Sequence, residues 1–246
     1  MVIPIPPMPR LEGEPPKLEV TKVPESERDA FEHVSHLLTH VALYELNFHH
    51  AVLLFDACDQ ARRQIVGTML QQALIGGRLD PSAINLNSWA PHEPVIGGWQ
   101  EVAARDGVMT IYNFGGTVDA IKNSLPECPS LKVDYAKVRL AHNLFFKGAF
   151  RNHEDIRHVL AHSAKFHSSL KQRKQHSHTG PFSFKIGNVG MEKKHPSAVT
   201  QMTGSLIVNA YMVTFAGKPY GYQITTATAA KLDSIRKLLY SAISIG

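Results

Sequence analysis

Apolar residues recur at helical spacing through Phe31, Val34, Leu38, Val41, Leu46, Val52, Phe55, Ile65 and Met69 to about Leu74. This roughly 3.6-residue period turns one face of a helix toward a core. The span is too long for one average globular helix, so it predicts a very long helix or two, ending at Gly76-Gly77. Ser26 to Asp29, just ahead of it, has the form of a capping box. Pro81, Pro91, Pro94 and Gly97-Gly98 predict an irregular loop over residues 80 to 98. Helical spacing resumes from about Trp99 to Ser124. It returns near Asp134 to Phe150, beyond a turn at Pro126 and Pro129, and again in a last bundle helix from roughly Asn152 to Leu170.

After Lys171 the pattern changes. Gln172 to Gly180 is polar and basic and predicts a loop. Phe182–Ile186 and Gly204–Phe215 read as strands, and Tyr220–Ile224 returns after a turn at Gly217-Lys218-Pro219. Thr225 or Thr226 can cap a final helix carrying Leu232, Ile235, Leu238, Leu239 and Ile243 on its apolar side. At the other end, prolines at positions 4, 6, 7, 9, 15, 16 and 24 predict an extended arm. The expected organisation is therefore an arm over residues 1–25, a helical bundle over 26–170, and a basic loop, β-hairpin and closing helix over 171–246. The fold class is mainly α, with a small C-terminal antiparallel β-hairpin or sheet and a final helix.

Composition narrows the function classes. A hydrophobic fraction of 43% with 19% charged residues supplies a sizeable core. No apolar run approaches bilayer-spanning length, so no membrane partner is expected. The proline-rich start does not read as a signal peptide, and Cys58 and Cys128 form no CxxC, so a reducing cytoplasm is the expected compartment. A formal charge of +5 permits an acidic partner such as nucleic acid. There is no GxGxxG, Walker or GxSxG pattern to support nucleotide-dependent or acyl-transfer chemistry.

One segment carries chemistry: Arg157-His158-Val159-Leu160-Ala161-His162, within the last helix of the bundle. It resembles the motif of the HEPN superfamily, in which Arg is followed by Asn, Asp or His, three further residues and then His. Glu154 precedes it, as an acidic residue often does in such domains. The resemblance covers the motif and its helical setting, about residues 26 to 170, and implies a HEPN-like bundle. It also implies a metal-independent endoribonuclease with no cofactor, which cleaves RNA by attack of the ribose 2′-hydroxyl. Such chemistry needs a group that moves protons near neutral pH, His162, and a fixed cation for the phosphate, Arg157. His158 would position one of them, with Glu154 beside it; Arg151, Asn152 and Lys165 are candidate substrate-binding residues. On an ideal helix positions 157 and 162 diverge by about 140°. The resemblance answers this with a homodimer whose two motif helices line one cleft. It further implies a toxin or defence role, held in check by an inhibitor or antitoxin protein.

Other readings of the same residues stay open. Arg157 and His162, flanked by Glu154 and Asp155, can form a solvated, salt-bridged face in a catalytically inactive RNA- or protein-binding module. Glu32, His36 and His40 share the spacing of Glu154, His158 and His162, which could make a metal-binding bundle. Asn152 also reads as a helix cap. The six histidines from His153 to His178, with Lys165, Lys171, Arg173 and Lys174, read as a phosphate-binding rim or as a solvated loop. Tyr211, Phe215, Tyr220 and Tyr222 read as core before they read as base-stacking platforms.

Overall fold

The computed structural model describes residues 13, 15–16, 20–75, 78–79, 91–166, 168–178, 180–186, 189–193 and 201–245. Most of the proline arm and residues 80–90 of the expected loop lie outside them.

The long apolar periodicity is one continuous helix, α1 (Arg28–Gln72), burying Phe31, Val34, Leu38, Val41, Phe48, Val52 and Phe55. The capping box does not form. Ser26 sits in a 3₁₀ turn, α1 has no side-chain N-cap, and Glu27 instead accepts a hydrogen bond from the Ser130 N–H at 2.9 Å. After α1, β1 (Leu74–Ile75) and β2 (Arg78–Leu79) pair antiparallel across positions 76–77.

Helix α2 (Glu93–Ser124) packs back along α1, with Phe48 and Ala51 against Gly107. It begins well before Trp99, correcting the expected loop boundary. Pro94 falls in the first turn, where the missing N–H would have had no partner. Arg62 of α1 ties that turn down through Glu93 at 3.2 Å and Gln100 at 2.7 Å, so Gly97 and Gly98 are helical. Past a 3₁₀ turn come β3 (Leu131–Val133) and α3 (Tyr135–Asn143), the latter capped by Asp134, which accepts from the N–H groups of Ala136 and Lys137. A π-helical turn (Leu144–Ala149) leads to α4 (His153–Phe166).

Helix α4 stops short of Leu170. Ser169 then caps a separate short helix, α5 (Leu170–His176), by accepting from Gln172 N–H, in a stretch whose polarity predicted a loop. The β region holds a hairpin, β4 (Phe182–Ile186) with β5 (Val189–Lys193), and a three-stranded antiparallel sheet of β6 (Thr203–Ile207), β7 (Ala210–Phe215) and β8 (Lys218–Gln223), with β7 central. The run Gly204–Phe215 is thus two strands, divided by a turn at Val208-Asn209. The closing helix α6 (Thr226–Ala242) is capped by Thr225, which accepts from Thr228 N–H. Ile243 leaves the helix for β9 (Ile243–Ile245), which pairs antiparallel with β3 and ties the chain's end to the bundle.

The protein is mainly α, with a small antiparallel β region and a final helix. Tyr211, Val213, Tyr222 and Ile224 join Phe114, Phe145, Phe150, Ile156, Val159, Leu232 and Leu239 in one apolar core. The sheet is thereby fixed against α4, the helix that bears the motif.

Candidate functional site

Ile156 and Val159 are fully buried, which anchors the inner face of α4 and turns 154, 157 and 158 outward or to its flank. The first residue of the helix, His153, is also buried. Its Nδ1 lies 2.9 Å from the Phe150 carbonyl, and its ring packs edge-on against Phe145 and Phe146. Burial holds this imidazole below its ordinary pKa, against the raising influence of the Phe150 carbonyl, Glu154 and Asp155.

Arg157 extends across α2. Its guanidinium carbon lies 5.2 Å from the centroid of the Tyr112 ring, and its Nε is buried without a hydrogen-bond partner among the described residues. Beside it opens a cavity of about 330 Å³ lined by Tyr112, Glu154, Asp155, Arg157, His158 and Phe215. Tyr112 and Glu154 also line an adjoining cavity of about 270 Å³, together with Tyr44, Asn113, Asp119 and Phe146. At its edge Asp119 meets His142 at 3.1 Å, and the His142 ring stacks on Phe146.

His162 sits at a break in the helix: its φ of −125° and ψ of 20° leave α-helical values, so the chain changes direction after it. The His162 ring lies 4.9 Å from that of His158, which is 5.3 Å from Phe215; His176 stacks on Phe215 at 5.2 Å. Desolvation lowers the His162 pKa first, followed by the nearby charges of Lys165, His158 and Arg157. His176 is lowered in the same direction by burial, then by His158. The imidazole of His162 is therefore mostly neutral near pH 7.

The structure gathers Arg157, His158 and Glu154 at one cavity, with His162 against His158 and Lys165 exposed within electrostatic reach of His162. It separates Arg151 and Asn152 from that group. Both line another cavity, with Lys185, Tyr222, Thr228 and Lys231. The Asn152 N–H donates to the Tyr222 hydroxyl at 3.1 Å, and its carbonyl accepts from Ile156 N–H, opening α4. Tyr211 and Tyr222 are core, whereas Phe215 and Tyr220 are half-buried. Tyr112 and the Asp119–His142 pair carry no sequence signal, and Phe215, read first as core, lines the motif cavity half-buried. Nothing linear marks Tyr112, because its role depends on α2 lying beside α4.

Among the described residues, no group of three or more His, Cys, Asp or Glu side chains could hold a metal ion. Glu32 and His36 point to solvent on α1, away from a shared centre with α4. No described helix is long and apolar enough to cross a membrane. No protein-family model, curated protein or solved structure matches this chain.

Proposed function

We propose that this chain is a metal-independent endoribonuclease of HEPN type, with the Arg157–His162 segment as its active site. The observation that carries the reading is Arg157. A guanidinium held over an aromatic face at a cavity, with a buried N–H that no described residue accepts, is prepared to bind an anion. In this reading Arg157 donates to the non-bridging oxygens of the scissile phosphate. Neutral His162 accepts the proton of the 2′-hydroxyl as that oxygen bonds to phosphorus, and the bond from phosphorus to the 5′-oxygen breaks. His158, 4.9 Å from His162, positions it and is the nearest imidazole to return a proton to the leaving oxygen. The product ends are a 2′,3′-cyclic phosphate and a 5′-hydroxyl.

One observation favours a second reading, a catalytically inactive module in which the motif is a charged structural face. Glu154 and Asp155 line the same cavity as Arg157 and oppose the approach of a phosphate. A homodimer, a toxin or defence role, and an inhibitor or antitoxin partner belong to the ribonuclease proposal and rest on the motif's resemblance. Product analysis tests the chemistry: an RNA oligonucleotide is offered beside the same sequence with 2′-deoxyribose throughout. Cleavage of the RNA alone, with cyclic phosphate ends, is expected. Cleavage of both oligonucleotides, or products ending in 3′-hydroxyls, would overturn the mechanism, and no cleavage of either would favour the second reading.

A further inference from the structure

The strongest unassigned feature is the cavity of about 280 Å³ on the other side of the α4 N-terminus. Three cations from three separate elements border it: Arg151 from the turn before α4, Lys185 from β4 and Lys231 from α6. Among the described residues none of the three is paired with a carboxylate, and no carboxylate lines the cavity. Asp155, the nearest acidic group to influence Tyr222, lines the motif cavity instead. The motif cavity mixes charges, whereas this one carries a single sign.

Packing fixes the backbone that carries the cations. Arg151 is held by the bond from Asn152 N–H to Tyr222. Lys185 is set by its neighbour Ile186, which packs so closely on Gly221 that a Cβ there would lie 2.9 Å from Ile186 Cδ1 and 2.5 Å from Tyr211 O. Only glycine allows β4 to approach β8 this way. Lys231 stands one turn beyond Thr228, which also lines the cavity. Tyr222 is buried, and burial holds its phenol far above the ordinary pKa, so it keeps its proton. Its oxygen accepts from Asn152, while its own O–H has no acceptor among the described residues. A protonated phenol with a spare donor, an asparagine and three unpaired cations suit a phosphate group.

We infer that this cavity binds a backbone phosphate of single-stranded RNA, a different one from that held by Arg157. The inference rests on the ribonuclease reading for its choice of RNA as the source of the phosphate. A strand held here is steered by a cavity that no carboxylate of the described residues lines, which offsets the repulsion of Glu154 and Asp155 in the motif cavity.

The test uses the full chain and two probes, a 2′-O-methyl oligonucleotide that cannot be cut and inorganic phosphate. Affinities are measured across a range of salt for the wild type, for Arg151→Ala/Lys185→Ala/Lys231→Ala, and for Lys185→Arg/Lys231→Arg. All three side chains are exposed, so the variants are expected to fold, and circular dichroism checks this. The triple variant is expected to bind the oligonucleotide about tenfold or more weakly. Its salt dependence should fall by about 0.7 for each phosphate it no longer neutralises, while the arginine variant stays near wild type. Unchanged affinity and slope in the triple variant would overturn the inference, whether or not RNA is cut. Inorganic phosphate bound as tightly as the oligonucleotide would overturn RNA as the ligand. Binding that depends on the three cations, in a protein that never cuts natural RNA, would sustain the inference and sink the ribonuclease reading instead.

Discussion

Arg157 of α4 lies across the face of Tyr112 of α2, with 5.2 Å between the guanidinium carbon and the ring centroid. A cation above an aromatic face at a partly exposed position gains about 0.5–2 kcal/mol, chiefly by fixing where the charge sits. Tyr112→Leu should therefore release Arg157 with little change in melting temperature and, on the proposed ribonuclease function, slow RNA cleavage by up to about tenfold. Tyr112→Phe keeps the ring and should stay within about twofold of wild type. Single-turnover rates on one RNA check both, and equal losses in the two variants would rule out the ring face as the cause.

The platform beneath the motif depends on one close approach. A Cβ at Gly115 would press into Phe145 Cζ at 2.6 Å and lie 3.3 Å from His153 Cδ2, whereas one at Gly116 meets nothing within 4 Å. Gly115→Ala should destabilise by about 1–3 kcal/mol through overpacking. Gly116→Ala should be neutral or stabilising by up to about 1 kcal/mol, as expected inside a helix. Denaturant unfolding of the two neighbours makes the comparison.

Much of this arrangement is legible along the chain, because it depends on local spacing. The α1 period, the Thr225 cap and the helical setting of Arg157 are of that kind. The rest is set by tertiary partners. Arg62 holds a helix start through Pro94 that proline and glycine content argued against. Ile243 fits the apolar face of α6 but pairs with Val133 as a strand, since β3 offers an unpaired edge. The break in α4 at His162 leaves no mark in the apolar spacing. Lys185 and Lys231 join Arg151 only because β4 and α6 converge beside the start of α4.

Stability should depend on pH through the buried histidines. Burial lowers the pKa values of His153 and His176 in the folded state, so below about 6.5 the unfolded chain takes up protons that the native state refuses. The unfolding free energy should thus fall as pH drops from 7 through 6, and level off once pH passes the folded-state values. His153→Gln should flatten part of that slope in urea titrations at successive pH. A wild-type curve that rises on acidification would contradict this account.

Arg236 of α6 and Glu45 of α1 form a fully buried ion pair, with Arg236 also reaching Asp233 at 2.8 Å and the Gly13 carbonyl at 3.3 Å. Removing one partner strands the other charge, so Arg236→Met should cost about 3–5 kcal/mol. Glu45→Met/Arg236→Met should recover most of that loss. A double variant as unstable as the single one would show that the cost lies in packing.

The proposed function has Arg157 and His162 cutting RNA without a metal. The most direct measurement is the cleavage rate of a single RNA by the wild type and by Arg157→Ala/His162→Ala, each with and without chelator. Wild-type cleavage that survives chelation, and a loss of about 10²-fold or more in the double variant, is the predicted result. Cleavage unchanged by the double substitution, or abolished by chelator in the wild type, would contradict it.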